Sequence, residues 1–158
     1  MPIVEAGRPA PDFRLARFGG DAFTRSDLEG RTTFLVFYPH AFSPVCTDQL
    51  SVYGEVLDEL REAGADAVYG VSCDSVWAQQ AFREQLGSEI EQLSDWEPKG
   101  ATCRAFGVYH RAGFPQRALV IVGPDGVVTW SHQAASIDEL PGANLIFDAL
   151  AARDERPR

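Results

Sequence analysis

Thr32-Thr33-Phe34-Leu35-Val36-Phe37-Tyr38-Pro39-His40-Ala41-Phe42-Ser43-Pro44-Val45-Cys46-Thr47-Asp48-Gln49 runs from one secondary-structure period into another. Thr32 to Tyr38 is β-branched and aromatic and stops at Pro39, which predicts a buried strand. Residues 44 to 63 predict a helix. Val45 or Cys46, then Leu50, Tyr53, Leu57 and Leu60 recur at helical spacing as one apolar stripe, and Gly64 closes it at C′. Ser43 suits the N-cap, and Pro44 falls on N1, where its missing N–H costs nothing. Cys46 is then N3. Free backbone N–H groups and the positive end of the helix dipole face this first turn, and both favour a thiolate, the nucleophilic form of cysteine. The same position also suits a buried core thiol, because Cys46 adjoins the apolar stripe and cysteine is among the most buried residue types.

Outward from this stretch, the first thirty residues are rich in Gly, Pro and Asp and read as a lead-in with a small hairpin. Ala67 to Cys73 predicts a second strand. Val76 to Leu86 predicts a second amphipathic helix, capped by Ser75. A short strand near Ile90 to Leu93 and a helix near Gly100 to Phe106 follow. Ala118 to Val122 and Val127 to Trp130 flank Gly123-Pro124-Asp125-Gly126, the signal of a β-hairpin. Ser136 to Ala152 predicts a final helix interrupted near Pro141-Gly142, and residues 154–158 a frayed tail. The order is β-α-β-α-(β-α)-β-β-α. Early crossovers imply parallel strands and the late hairpin adds antiparallel ones. The expectation is an α/β chain of thioredoxin-like fold, with a central mixed sheet flanked by helices on both faces. Residues 1–158 form one domain, as the length suggests.

The balance of 14 Lys+Arg against 23 Asp+Glu gives a formal net charge of −9. It works against general affinity for nucleic acid or an anionic membrane. No apolar run is long enough to span a bilayer, and no signal peptide is visible. Three cysteines, an odd and sparse number, do not make a disulfide scaffold, and a reducing cytoplasm is the natural compartment. His40, His110 and His132 are scattered and no Cys-x-x-Cys occurs, so no metal site is expected. His40 is expected to face solvent. Trp77, Trp96 and Trp130 read as core or interface residues.

Pro39-x-x-x-Ser43-x-x-Cys46 resembles the Pro-x-x-x-(Thr/Ser)-x-x-Cys motif of the peroxiredoxins, the alkyl hydroperoxide reductase and thiol-specific antioxidant family. Other pieces follow in the family's order. They are Gly7-x-Pro9-Ala10-Pro11-Asp12-Phe13, Phe34 to Pro39, Gly70-Val71-Ser72-Cys73-Asp74-Ser75, and Phe106-Gly107-Val108-Tyr109, then Arg117 ahead of Ala118 to Val122. Gln49 matches a position where the family has Glu or Gln. The chain is most similar to the one-cysteine alkyl hydroperoxide reductase E type.

The resemblance implies a thiol peroxidase in which Cys46 attacks a peroxide oxygen and becomes sulfenic acid, with Pro39, Ser43 and Arg117 as the other site residues and Gln49 in support. Elementary chemistry agrees. Arg117 precedes a strand that can lie beside the first one, and its guanidinium can stabilise a thiolate and hold peroxide oxygens. The Ser43 hydroxyl can donate to thiolate or peroxide, and Pro39 can shield the pocket. Cys73, at a strand end, reads as buried and inert. Cys103, on a short helix, is either a helix residue without redox role or a resolving thiol for Cys46. The expected partners are hydrogen peroxide or an organic hydroperoxide, an external thiol reductant (a thioredoxin-like or redoxin protein, or a low-molecular-weight thiol) and a second copy in a homodimer, with no metal or organic cofactor. The other readings are a thiol–disulfide oxidoreductase, against which the missing Cys-x-x-Cys speaks, and a non-catalytic peroxide sensor or holdase.

Overall fold

The computed structural model describes residues 2–154. In chain order it forms β1 (Arg14–Arg17), β2 (Phe23–Thr24), a 3-10 turn at Arg25–Leu28, β3 (Thr33–Phe37), α1 (Pro44–Glu55), α2 (Leu57–Glu62) and β4 (Ala67–Ser72). There follow α3 (Val76–Leu86), β5 (Glu91–Ser94), α4 (Ala101–Ala105), β6 (Tyr109–His110), β7 (Phe114–Pro115), β8 (Ala118–Val122), β9 (Val128–Gln133) and α5 (Ala143–Asp154). Seven strands make one sheet in the order β2-β1-β5-β4-β3-β8-β9. β3, β4 and β5 run parallel, joined by crossovers through helices, and β8 and β1 flank them antiparallel. This is a thioredoxin-like α/β architecture with a mixed sheet.

β3 and β8 are buried along their whole length because both sheet faces are covered. The period of two sorts their side chains. Phe34, Val36 and Tyr38 pack with Leu50, Tyr53, Leu57 and Leu60 of the first two helices, Phe82 of α3, and Ile146 and Leu150 of α5. Leu35 and Phe37 point the other way, toward Cys103 and Phe106 around α4 and toward Leu15, Phe23 and Leu28 of the lead-in. The long helices therefore share one face, and the short α4 and the lead-in cover the other.

Three expectations are corrected. The helix predicted over 44–63 is two helices, broken at Val56 (φ −106°, ψ 17°). Gly54, a poor helix former pressed against Ser88, and the β-branched Val56 weaken the helix here. The stripe survives the break, since Leu57 and Leu60 remain buried in α2. The final helix begins at Ala143, not Ser136. Pro141 cannot donate to a helix ladder and disfavours helical backbone before it, so residues 136–142 form a loop. Asp154 is the last residue of α5, and positions 155–158 of the expected tail lie outside the described residues. The lead-in hairpin also does more than precede the fold, since β1 extends the main sheet beside β5. The β6–β7 hairpin was not foreseen. Its strands are two residues each, too short for a period to register.

Candidate active site

The loop after β3 is fixed at both ends. Tyr38 N–H donates to the Val71 carbonyl, and its hydroxyl donates to Gln92 Oε1 at 2.7 Å. Burial pushes the Tyr38 phenol above its ordinary range, so it remains a donor. Ala41 N–H donates to the Asp74 carboxylate at 2.8 Å, across the gap to the end of β4. Phe42 adopts φ 70°, the left-handed region, which is unusual for a bulky residue and stores strain beside the start of α1. Its ring rests on Phe82.

Ser43 takes the N-cap position and Pro44 opens α1, which places Cys46 at N3. The expected side-chain cap is absent. The Ser43 hydroxyl donates to the His40 carbonyl at 2.9 Å, so it points neither at the helix N–H groups nor at the thiol. The local geometry favours the nearer acceptor, since a serine hydroxyl readily closes a short turn on its own backbone. Thr47 bonds the Ser43 carbonyl through both its N–H and its hydroxyl. His40 is exposed, with its ring against Phe114. Pro39 is buried and borders a groove of about 290 Å³ that also meets His40, Cys73, Lys99 and Phe114.

The structure brings Cys46, Gln49 and Arg117 together. Arg117 precedes β8, which pairs antiparallel with β3 and so carries the side chain to the mouth of the same strand pair. Cys46 and Arg117 are 0% and 2% exposed. The guanidinium donates through Nη2 to Cys46 Sγ at 3.2 Å, through Nη1 to Gln49 Oε1 at 2.6 Å, and through Nε to the Ile137 carbonyl at 2.8 Å. Among the described residues no carboxylate pairs with Arg117. A buried cation surrounded by neutral acceptors is costly unless a negative charge is close by.

A further layer, which the sequence reading missed, holds Gln49. Its amide donates to Tyr53 Oη at 3.1 Å, and that hydroxyl donates to the Pro141 carbonyl at 2.6 Å. Tyr53 was read as an apolar stripe residue. Its spacing, four after Gln49 and seven after Cys46, together with the need of a buried phenol for a partner, was the available signal. Burial pushes Tyr53 up to about 12. Because the folded value lies above that of a free tyrosine, the protonated phenol stabilises the fold fully below about pH 10. That contribution disappears as pH rises from there through about 12. Urea titrations at pH 8 and pH 11 are expected to show this loss, on the order of 1–2 kcal/mol, and Tyr53→Phe is expected to reduce it. An unchanged slope in the variant would remove Tyr53 from the alkaline transition.

Cys103 is not near Cys46. The two belong to cores on opposite sides of the sheet. Cys103 instead meets Cys73 and Asp95, a grouping that the sequence spacing did not disclose.

A sequence model of the AhpC/TSA family matches residues 6–131. The chain belongs to the AhpC/TSA family. Peroxiredoxin Bcp of Escherichia coli strain K12 is 33% identical over 114 residues, covering 72% of this chain and 71% of that protein. Alkyl hydroperoxide reductase E of Mycobacterium bovis is 29% identical over 152 residues, covering 95% and 98%. The crystal structure of Enterococcus faecalis AhpC superposes with a TM-score of 0.83 at 28% identity, covering 98% of this chain and 94% of that one. This peroxiredoxin is therefore a thiol-dependent peroxidase, an oxidoreductase that takes a peroxide as substrate and a thiol as reductant. Among its described residues no helix is long and apolar enough to cross a membrane.

Proposed function

We propose that Cys46 is the peroxide-reducing thiol, that Arg117 is its catalytic partner, and that the cycle uses this one cysteine. The observation that carries the reading is the buried guanidinium with its Nη2 at 3.2 Å from Cys46 Sγ and no carboxylate partner. A thiolate at Cys46 supplies the missing negative charge. In the first step the sulfur attacks one peroxide oxygen and the O–O bond breaks. The leaving alkoxide or hydroxide takes a proton, and Cys46 becomes sulfenic acid. Negative charge moves from sulfur to the departing oxygen, and the fixed fork of Arg117 spans both positions. Gln49 supports the reaction by holding Nη1, Pro39 shields the site from water, and Ser43 meets the substrate once its hydroxyl leaves the His40 carbonyl. Peroxide enters past the strained 40–43 loop, because Cys46 itself has no exposed surface.

In the second step an external thiol attacks the sulfenic sulfur and expels water, giving a mixed disulfide that a second thiol resolves. The separation of Cys103 from Cys46 by the sheet supports this one-cysteine course. The reductant is a low-molecular-weight thiol or a small redoxin of the cytoplasm. After one equivalent of peroxide and then a small thiol, peptide mapping is expected to find the adduct on Cys46. A disulfide from Cys46 to Cys73 or Cys103 in its place would sink the one-cysteine cycle.

The same reading includes a homodimer. Phe18, Phe42, Trp77 and Trp96 remain substantially exposed, and Phe18 and Trp77 touch edge to face. Such apolar surface suits association. Light scattering at micromolar concentration is expected to return twice the 17.3 kDa chain mass, and a monomeric mass would end the proposal.

A further inference from the structure

On the sheet face opposite Cys46, the ligating atoms of Cys73, Asp95 and Cys103 all lie within 4.8 Å of one another. The three are not equivalent. Cys73, just beyond β4, is 7% exposed and borders the 290 Å³ groove with Lys99 and Phe114, whereas Cys103 on α4 is fully enclosed. The neighbouring Cys103 thiol holds the Cys73 thiol below the usual range. The Cys73 thiol, burial and the Asp95 carboxylate push Cys103 up. The outer sulfur is thus the one a peroxide in the groove can meet, and the inner one lies behind it. Asp95 is already engaged. One oxygen accepts Thr102 N–H at 3.1 Å and the other accepts Cys103 N–H at 2.8 Å. Both carboxylate oxygens are thus bonded to backbone of α4, and the two sulfurs lie within 4.8 Å of each other.

We propose that Cys73 and Cys103 form a second redox centre, a dithiol that peroxide converts to a disulfide independently of Cys46. The Cys73 sulfur attacks a peroxide oxygen from the groove, the O–O bond breaks, and the leaving oxygen departs with a proton as water or alcohol. The Cys103 sulfur then displaces hydroxide from the Cys73 sulfenic acid. The S–S bond forms, and the Cys103 proton leaves with the hydroxide as water. Two thiols and one peroxide give one disulfide, and the peroxide gains the two electrons. Closing the bond draws the sulfurs to about 2.0 Å and ties the end of β4 to α4. Asp74, the next residue, holds Ala41 of the loop before Cys46, so the tie lies one residue from that loop's anchor.

The test uses the full chain carrying Cys46→Ser, exposed to a few equivalents of hydrogen peroxide. The intact mass is expected to fall by about 2 Da, and a non-reducing digest is expected to contain the peptides of Cys73 and Cys103 joined. Cys73→Ser or Cys103→Ser on that background is expected to abolish the loss. Because a substituted core thiol can impair folding, the unaltered chain is digested in parallel and is expected to give the same cross-linked pair. Free thiols at both positions after peroxide, or oxygen adducts at Cys73 without the cross-link, would overturn the proposal. So would protection of both thiols from alkylation by one equivalent of zinc ion, which would make the trio a metal site. None of these outcomes depends on the role given to Cys46.

Discussion

Cys46→Ser is expected to reduce peroxide consumption to the background of the uncatalysed reaction. A serine hydroxyl is not ionised at neutral pH and is a poor nucleophile. The substitution is nearly isosteric, and the oxygen can still accept from Arg117, so the fold is expected to survive. Intact secondary structure with no turnover separates lost chemistry from lost structure. Cys73→Ser is expected to leave turnover within a few-fold, because Cys73 lies outside the Cys46 core. Substantial activity in Cys46→Ser would show that another group attacks the peroxide.

Arg117→Ala is expected to slow the peroxide step by roughly 10²–10³, the usual consequence of deleting one donor to a developing oxyanion. Three hydrogen bonds go at once, and the buried Gln49 acceptor and the half-buried Ile137 carbonyl lose their donor. A buried orphan such as Gln49 Oε1 costs about 1–3 kcal/mol, partly offset by removal of a buried charge. Comparing reagents isolates the catalytic share. Alkylation by a neutral reagent such as iodoacetamide depends on the thiolate population but develops no oxyanion. It is expected to slow far less than peroxide reduction. Equal slowing of both would mean that Arg117 acts only on the thiol and not on the departing oxygen. Arg117→Lys keeps the charge without the fork, and is expected to recover part of the rate and little of the hydrogen-bond frame.

Much of this arrangement was legible before any coordinates. A β-branched run ending at Pro39, a Ser-Pro helix start and a cysteine in the next turn are local signals, and the structure places Cys46 at N3 as the spacing predicts. That the strand after Arg117 can lie beside the first one was also legible, and the observed pairing of β8 with β3 brings Arg117 into reach. The break at Val56 was harder to see, because the apolar stripe continues through it. Gln49 was legible as a support, but the rest of the frame was not, since the Ile137 carbonyl on the guanidinium and the Pro141 carbonyl behind Tyr53 are backbone atoms that every residue possesses. Reading 136–152 as a helix even assigned those carbonyls to another ladder. Ser43 illustrates the same limit, because its hydroxyl had several acceptors within reach and the sequence does not rank them. Cys73 and Cys103, thirty positions apart, meet only because β4 and α4 pack on one face.

The clamp on Arg117 bears on how the chain becomes active during synthesis. Cys46 and its helix are made about ninety residues before Ile137 and Pro141, which fix Arg117 and the Gln49–Tyr53 pair. The α5 helix then has to dock Ile146 and Leu150 over the same core. A nascent chain that has folded β3 and α1 holds the thiol without the frame that positions its cation. With the roles proposed for Cys46 and Arg117, proficient peroxide reduction is expected to await completion of nearly the whole domain, and a ribosome-bound fragment ending before residue 137 is expected to expose a cysteine that ordinary alkylating agents reach and that reduces peroxide poorly.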